Sequence, residues 1–211
     1  MRTKLLLTAA AIAAGVVSSQ AQSNVYSVNV VGYVNKTLPI SAMQLSGTPL
    51  DDGTNKLSSA LAGAPNGTTV YVWNGAGYNS ASKAKGSWST DLSIPPGVGM
   101  FIQSGGNAGT NTYVGQVTAQ VGGSVSNAIP AGVTTLRGSM VPYAGDLNDT
   151  NLALGTTLAN GSIIYKWTGA GYTSSSKAKG SWSTALSFSV GEAMFINSAT
   201  ATQWVQKLPA N

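Results

Sequence analysis

The 211-residue chain has no cysteine and no histidine, and its one glutamate is Glu192. Without cysteine there are no disulfide staples, so an ordinary core must hold the fold together. Without histidine or cysteine there is no Ser-His-Asp or Cys-His nucleophile. Zinc and copper sites built on imidazole or thiolate are excluded with them. Charge is scarce: Asp, Glu, Lys and Arg make up 8% of residues, against about 25% in ordinary domains. A retaining or inverting glycosidase needs two carboxylates across a cleft. Here they would have to come from Asp51, Asp52, Asp91, Asp146, Asp149 and Glu192.

The N-terminus has the three parts of a secretory signal peptide. "MRTK" carries Arg2 and Lys4, Leu5 to Val17 is a small and apolar run, and Ser19 and Ala21 suit a cleavage site. That run is shorter than the roughly 20 residues that span a bilayer. Residues 1–21 are therefore expected to be removed, leaving a soluble exported chain, extracellular or periplasmic. The formal charge of +5 includes Arg2 and Lys4, and the remainder has nine basic residues against six acidic. Among arginines only Arg137 is left. A nucleic-acid partner would call for clustered Arg and Lys, so none is expected, nor is a membrane span.

What is abundant is glycine, 26 residues, with serine, threonine, asparagine and scattered β-branched and aromatic residues. Short strands and tight turns follow from that mixture. A repeat organises them. Trp73, Trp88, Gly97 and Phe101 recur 94 positions later as Trp167, Trp182, Gly191 and Phe195. Outside this block Pro39, Leu45 and Tyr113 recur 91 positions later as Pro130, Leu136 and Trp204. Insertions in loops account for the difference. The units run over 22–118 and 119–211.

Each unit reads alike. An "LP" or "IP" step leads into a strand, then comes a short helical segment, "TNKLSSALAG" or "DTNLALGTTLA". Thr54 or Asn55, and Asp149 or Asn151, are candidate N-caps. "GTTVYVW" and "GSIIYKW" are strands by β-branched and aromatic content. "NGAG" and "TGAG" are turns, "PGVGMFIQS" and "VGEAMFINS" further strands, and "TYVGQVTAQV" and "QWVQKL" close the units. "NVYSVNVVGYVN" resembles a closing strand, giving the order strand, unit, strand, unit, strand. It can complete the first sheet, join the two halves or pair with a neighbouring molecule. The predicted fold is mainly β: two antiparallel β-units, sandwich-like or barrel-like, each with a short helical segment.

The pattern of Tyr-x-Trp-x-Gly, then Gly-x-Trp, then Pro-Gly-x-Gly-x-Phe resembles tandem β-repeats of secreted and surface proteins of environmental bacteria. It covers nearly all of the chain after the signal peptide. "SVGEAMFI" departs from it, lacking the proline and second glycine. The resemblance implies fold and location, and brings no catalytic residue or cofactor.

Nine residues, "SKAKGSWST", are identical at 82–90 and 176–184. They supply the candidate ligand-binding set: Lys83, Lys85 and Trp88, with Lys177, Lys179 and Trp182. Lysines could meet an anionic polysaccharide or cell-surface polymer, and tryptophans could stack on sugar rings, with Tyr78 and Tyr172 nearby. The competing reading is a lysine-protected edge strand over packed indoles. Strand alternation puts Lys83, Lys85 and Ser87 on one face and Ala84, Gly86 and Trp88 on the other. Only a break at Gly86 or Gly180 would unite the lysines with the tryptophan. "DDGTN" and "GDLNDTN" cluster oxygen ligands, but calcium needs 6–8 of them. Turn and cap work explains these residues, and no metal site or cofactor is predicted. The leading expectation is a non-enzymatic protein that binds or associates structurally at the cell surface or in the extracellular matrix.

Overall fold

The computed structural model describes residues 31–119 and 121–209. The predicted signal peptide and the start of "NVYSVNVVGYVN" lie outside the described residues. The first unit contains β1 (Val31–Leu38), β2 (Met43–Gly47), α1 (Leu57–Ala60), β3 (Thr69–Trp73), β4 (Tyr78–Ala84), β5 (Ser87–Trp88), β6 (Gly99–Gln103) and β7 (Gly109–Gln116). The second contains β8 (Ser124–Ile129), β9 (Thr134–Gly138), β10 (Gly145–Asp146), α2 (Leu154–Thr157), β11 (Ile163–Trp167) and β12 (Tyr172–Ala178). It continues with β13 (Ser181–Trp182), β14 (Ser187–Phe188), β15 (Ala193–Asn197) and β16 (Thr202–Lys207). The fold is mainly β, with two matching antiparallel units and one helical turn in each.

The two five-stranded sheets have the same order, β2-β6-β3-β4-β5 and β9-β15-β11-β12-β13. A two-stranded ribbon accompanies each: β1 with β7, and β8 with β16. This corrects the order read from the sequence. The N-terminal strand is no extra closing strand but the counterpart of β8, and each unit pairs its own first and last strands. The repeat offset changes in two places, across the helical segment between β2 and β3 and across the β6–β7 connection.

Strand alternation assigns the cores. In β3 and β6, Val70, Val72, Met100 and Ile102 point towards α1 and the ribbon, packing with Leu57, Leu61 and Tyr113. Ile164, Met194 and Ile196 do the same in the second unit, packing with Leu154, Leu158 and Trp204. The opposite faces carry Leu45, Phe101, Leu136 and Phe195, which form a third core between the sheets. Tyr71, Trp73, Tyr165 and Trp167 pack against it. The seam is held reciprocally: the Gly47 N–H donates to Gly191 O at 3.0 Å, and the Gly138 N–H to Gly97 O at 3.2 Å.

The helical turns are capped differently from the sequence reading. Their N-caps are Lys56 and Ala153, neither using its side chain as a cap. Asp52 and Asp149 instead accept loop N–H groups just ahead: Thr54 N and Asn55 N on Asp52, Asn151 N and Leu152 N on Asp149. For α1 the capping acid comes from elsewhere. Asp91 accepts from Ser58 N and Ser58 Oγ, both at 2.8 Å.

Candidate functional site

"SKAKGSWST" is not one strand. It is a hairpin that reverses at Lys85–Gly86 and Lys179–Gly180, all four with positive φ, 51° and 81°, 50° and 81°. Paired positive-φ residues make the two-residue turn that suits strand twist. Strand alternation therefore restarts at the turn. Lys83 lies opposite Trp88, and Lys177 opposite Trp182. The expected separation of lysine and tryptophan faces is thereby corrected. The ammonium of Lys83 sits 5.8 Å from the Trp88 ring centroid, and that of Lys177 5.9 Å from the Trp182 ring centroid.

Why the nine residues serve equally in both units can be followed atom by atom. Ser82 N donates to Ser89 Oγ, and Ser176 N to Ser183 Oγ. Gly86 N and Gly180 N donate to Asn66 Oδ1 and Asn160 Oδ1, both at 2.8 Å. Lys83 Nζ donates to Ala62 O at 2.7 Å, and Lys177 Nζ to Leu158 O at 2.7 Å and to Gly155 O. Both lysines are buried, and they satisfy carbonyls at the end of the helical turn that would otherwise lack donors. Desolvation lowers the Lys83 pKa. Lys85 and Lys179 stand exposed at the hairpin tips.

Trp88 and Trp182 are half-buried against the two unit cores. Their indole N–H groups have no acceptor among the described residues. A cavity of about 350 Å³ lies beside Trp88, lined by Ser58, Lys83, Ser87 and Asp91 among others. Ala185 stands where Asp91 would recur, so the two units are not chemically equivalent here.

The acidic loops are committed to hydrogen bonds with their own backbone and neighbouring side chains. Asp51 accepts from Gly53 N and Asn55 Nδ2, and Tyr143 donates to Asp149 at 2.8 Å. Burial acts to raise the pKa of Asp52 and of Asp149, but hydrogen bonds outweigh it and hold both below the usual carboxylate value. A general acid needs the opposite shift. Among the described residues no group of three or more acids could hold a metal ion, and no helix is long and apolar enough to cross a membrane.

Aromatic rings gather at the seam, an arrangement that single-strand reading missed. Trp73 meets Phe195 edge-on at 6.0 Å, and Trp167 meets Phe101 at 5.5 Å. Each tryptophan also abuts the tyrosine opposite it on its own hairpin, Tyr78 at 5.1 Å and Tyr172 at 5.0 Å. Edge-to-face rings are a favourable packing mode. Tyr78 and Tyr172 keep 41% and 49% of their surface exposed. Desolvation raises both phenol pKa values, and the Tyr172 hydroxyl adds to the effect on Tyr78. An open groove of about 300 Å³ runs beside Tyr165, Tyr172 and Phe195. No known family model, curated protein or solved structure matches the chain.

Proposed function

We propose that the protein is exported and non-enzymatic, and that it binds or associates structurally at the cell surface or in the extracellular matrix. The observation that carries this reading is the aromatic rim. Two half-exposed tyrosines, one from each unit, cap a bed of rings that spans the seam. Ring faces of this kind stack on sugars without needing charge. The committed acidic loops agree with a protein that does no carboxylate chemistry. Of the lysines in the repeat, Lys85 and Lys179 are free to approach an anionic polymer, whereas Lys83 and Lys177 serve the helical turns. The test is depletion of the protein by insoluble polysaccharides. Wild type should be retained, and Tyr78→Ala with Tyr172→Ala should lose at least ten-fold in affinity. Retention unchanged in that double variant, or no retention of wild type on any polysaccharide, would sink the reading.

A second reading rests on the first ribbon. Val31, Tyr33 and Val114 expose 65%, 73% and 57% of their surface, with Tyr33 directly opposite Val114. An apolar patch beside a strand edge favours self-association. Light scattering across a concentration series distinguishes it: Tyr33→Lys should abolish any growth in mass.

A further inference from the structure

The two units provide an internal control for what packing requires. Lys36 on β1 corresponds, at the offset of 91, to Asn127 on β8. Asn127 Nδ2 donates to Gly97 O at 3.2 Å, and Lys36 Nζ donates to the equivalent carbonyl, Gly191 O, at 3.0 Å. A neutral amide therefore suffices for the bond. Glu192 likewise corresponds to Val98, at the offset of 94. The fold requires neither charge, yet both sit on one side of the seam.

They line a cavity of about 350 Å³ together with Asn35, Gln44, Ser189 and Trp167. That volume lies within the range of small-molecule sites. An ammonium has three donors. Two go to Leu45 O, at 3.3 Å, and Gly191 O; the third has no acceptor among the described residues. Glu192 is already engaged: Oε1 lies 3.3 Å from Lys166 Nζ, and Oε2 accepts from Ser189 N at 3.0 Å. Glu192 is thus the ion-pair partner of Lys166, and Lys36 has no carboxylate within ion-pair distance among the described residues. Gln44 gives its amide N–H to Thr37 O, which leaves its carbonyl as an acceptor. The Trp167 N–H is taken by Met43 O at 2.8 Å, so the indole offers apolar surface.

We propose that this seam pocket binds a carboxylated sugar ring, with the carboxylate on Lys36, the ring against Trp167 and a hydroxyl on Gln44. The proposal rests on the binding reading above but uses a different site from the tyrosine rim. Burial pushes the Lys36 pKa down to about 8, against the opposing pull of Glu192, and a bound carboxylate would favour its protonated form.

The experiment is titration of the full chain at pH 6.5 with galacturonate, galactose and acetate, followed by tryptophan fluorescence and calorimetry. Galacturonate should bind at least ten-fold more tightly than either galactose or acetate. Lys36→Met should remove the preference for galacturonate over galactose. Glu192→Gln should tighten galacturonate several-fold, because the pocket then loses the carboxylate that repels the ligand's own; mere damage to the seam would weaken it. Wild-type affinity should fall as pH rises past about 8. Equal binding of galactose, equal binding of acetate, no binding, or a Glu192→Gln variant that binds more weakly each overturns the proposal. Lys36→Met should still be retained by the insoluble neutral polysaccharides that hold wild type, so loss of this pocket and loss of the rim are read separately.

Discussion

Gly47 and Gly138 cross with their backbones in contact. A β-carbon on Gly47 would lie 2.6 Å from the Cα of Gly138, and one on Gly138 would lie 2.7 Å from the Cα of Gly47. Neither neighbour is a flexible side chain that could move aside. Gly47→Ala and Gly138→Ala should each destabilise the fold by about 1–3 kcal/mol, the usual cost of forced overpacking. Urea unfolding measures it. Gly77 has open space around it, so a side chain there meets no such clash.

The lysines of the repeated hairpin should divide by position. Lys83→Met and Lys177→Met leave buried carbonyls without donors, a loss of about 1–3 kcal/mol each. Lys85→Gly should raise stability by less than about 1 kcal/mol, since it relieves a left-handed conformation that costs a side chain roughly that much. Thermal or urea melts of the three variants check the division. Equal losses at Lys83 and Lys85 would contradict the hairpin.

Asp91→Ala should cost about 0.5–2 kcal/mol through the lost cap on α1. The same measurement on Ala185→Asp tests whether a carboxylate is useful in the second unit, where Ala153 enters α2 in a left-handed conformation.

Stability should depend on pH in three limbs. Lys36 has a folded pKa of about 8 against an ordinary value of 10.5. Between those values the unfolded chain holds more protons, so stability rises with pH. Tyr113, wholly buried, has its pKa pushed up to about 12 from 10.0. There the folded state holds the proton, and stability falls as pH climbs above 10. Asp52 and Asp149, held low by hydrogen bonds, contribute stability that is lost as pH falls through the carboxylate range. Urea midpoints across pH should rise from about 8 towards 10 and then decline. Lys36→Met should flatten the rise, and Tyr113→Phe the decline.

Much of the fold was legible in the chain. "TVYVW" is legible as a strand from its β-branched and aromatic content, and "GMFIQ" reads as a strand too, whereas sheet packing decides which side chains face the unit core and which the seam. Strand parity, applied to the nine-residue repeat, fails at Lys85–Gly86 and at Lys179–Gly180, because parity holds only while a strand continues. A lysine followed by glycine carries a weaker turn signal than Asn-Gly. Asn74–Gly75 itself forms a longer loop, with Asn74 Oδ1 accepting from Ala76 N and Gly77 N.

Composition and repeat spacing by themselves determined the class of structure, the two matching units and the absence of histidine and cysteine chemistry, because these depend on residue types and local periodicity. Only the tertiary structure decided which rings meet at the seam, that Asp91 caps a helix 33 residues away, and that Lys36 and Glu192 share a pocket. Those relationships arise from two sheets packing face to face, and no local pattern along the chain encodes which side of a near-symmetric pair will carry the charge.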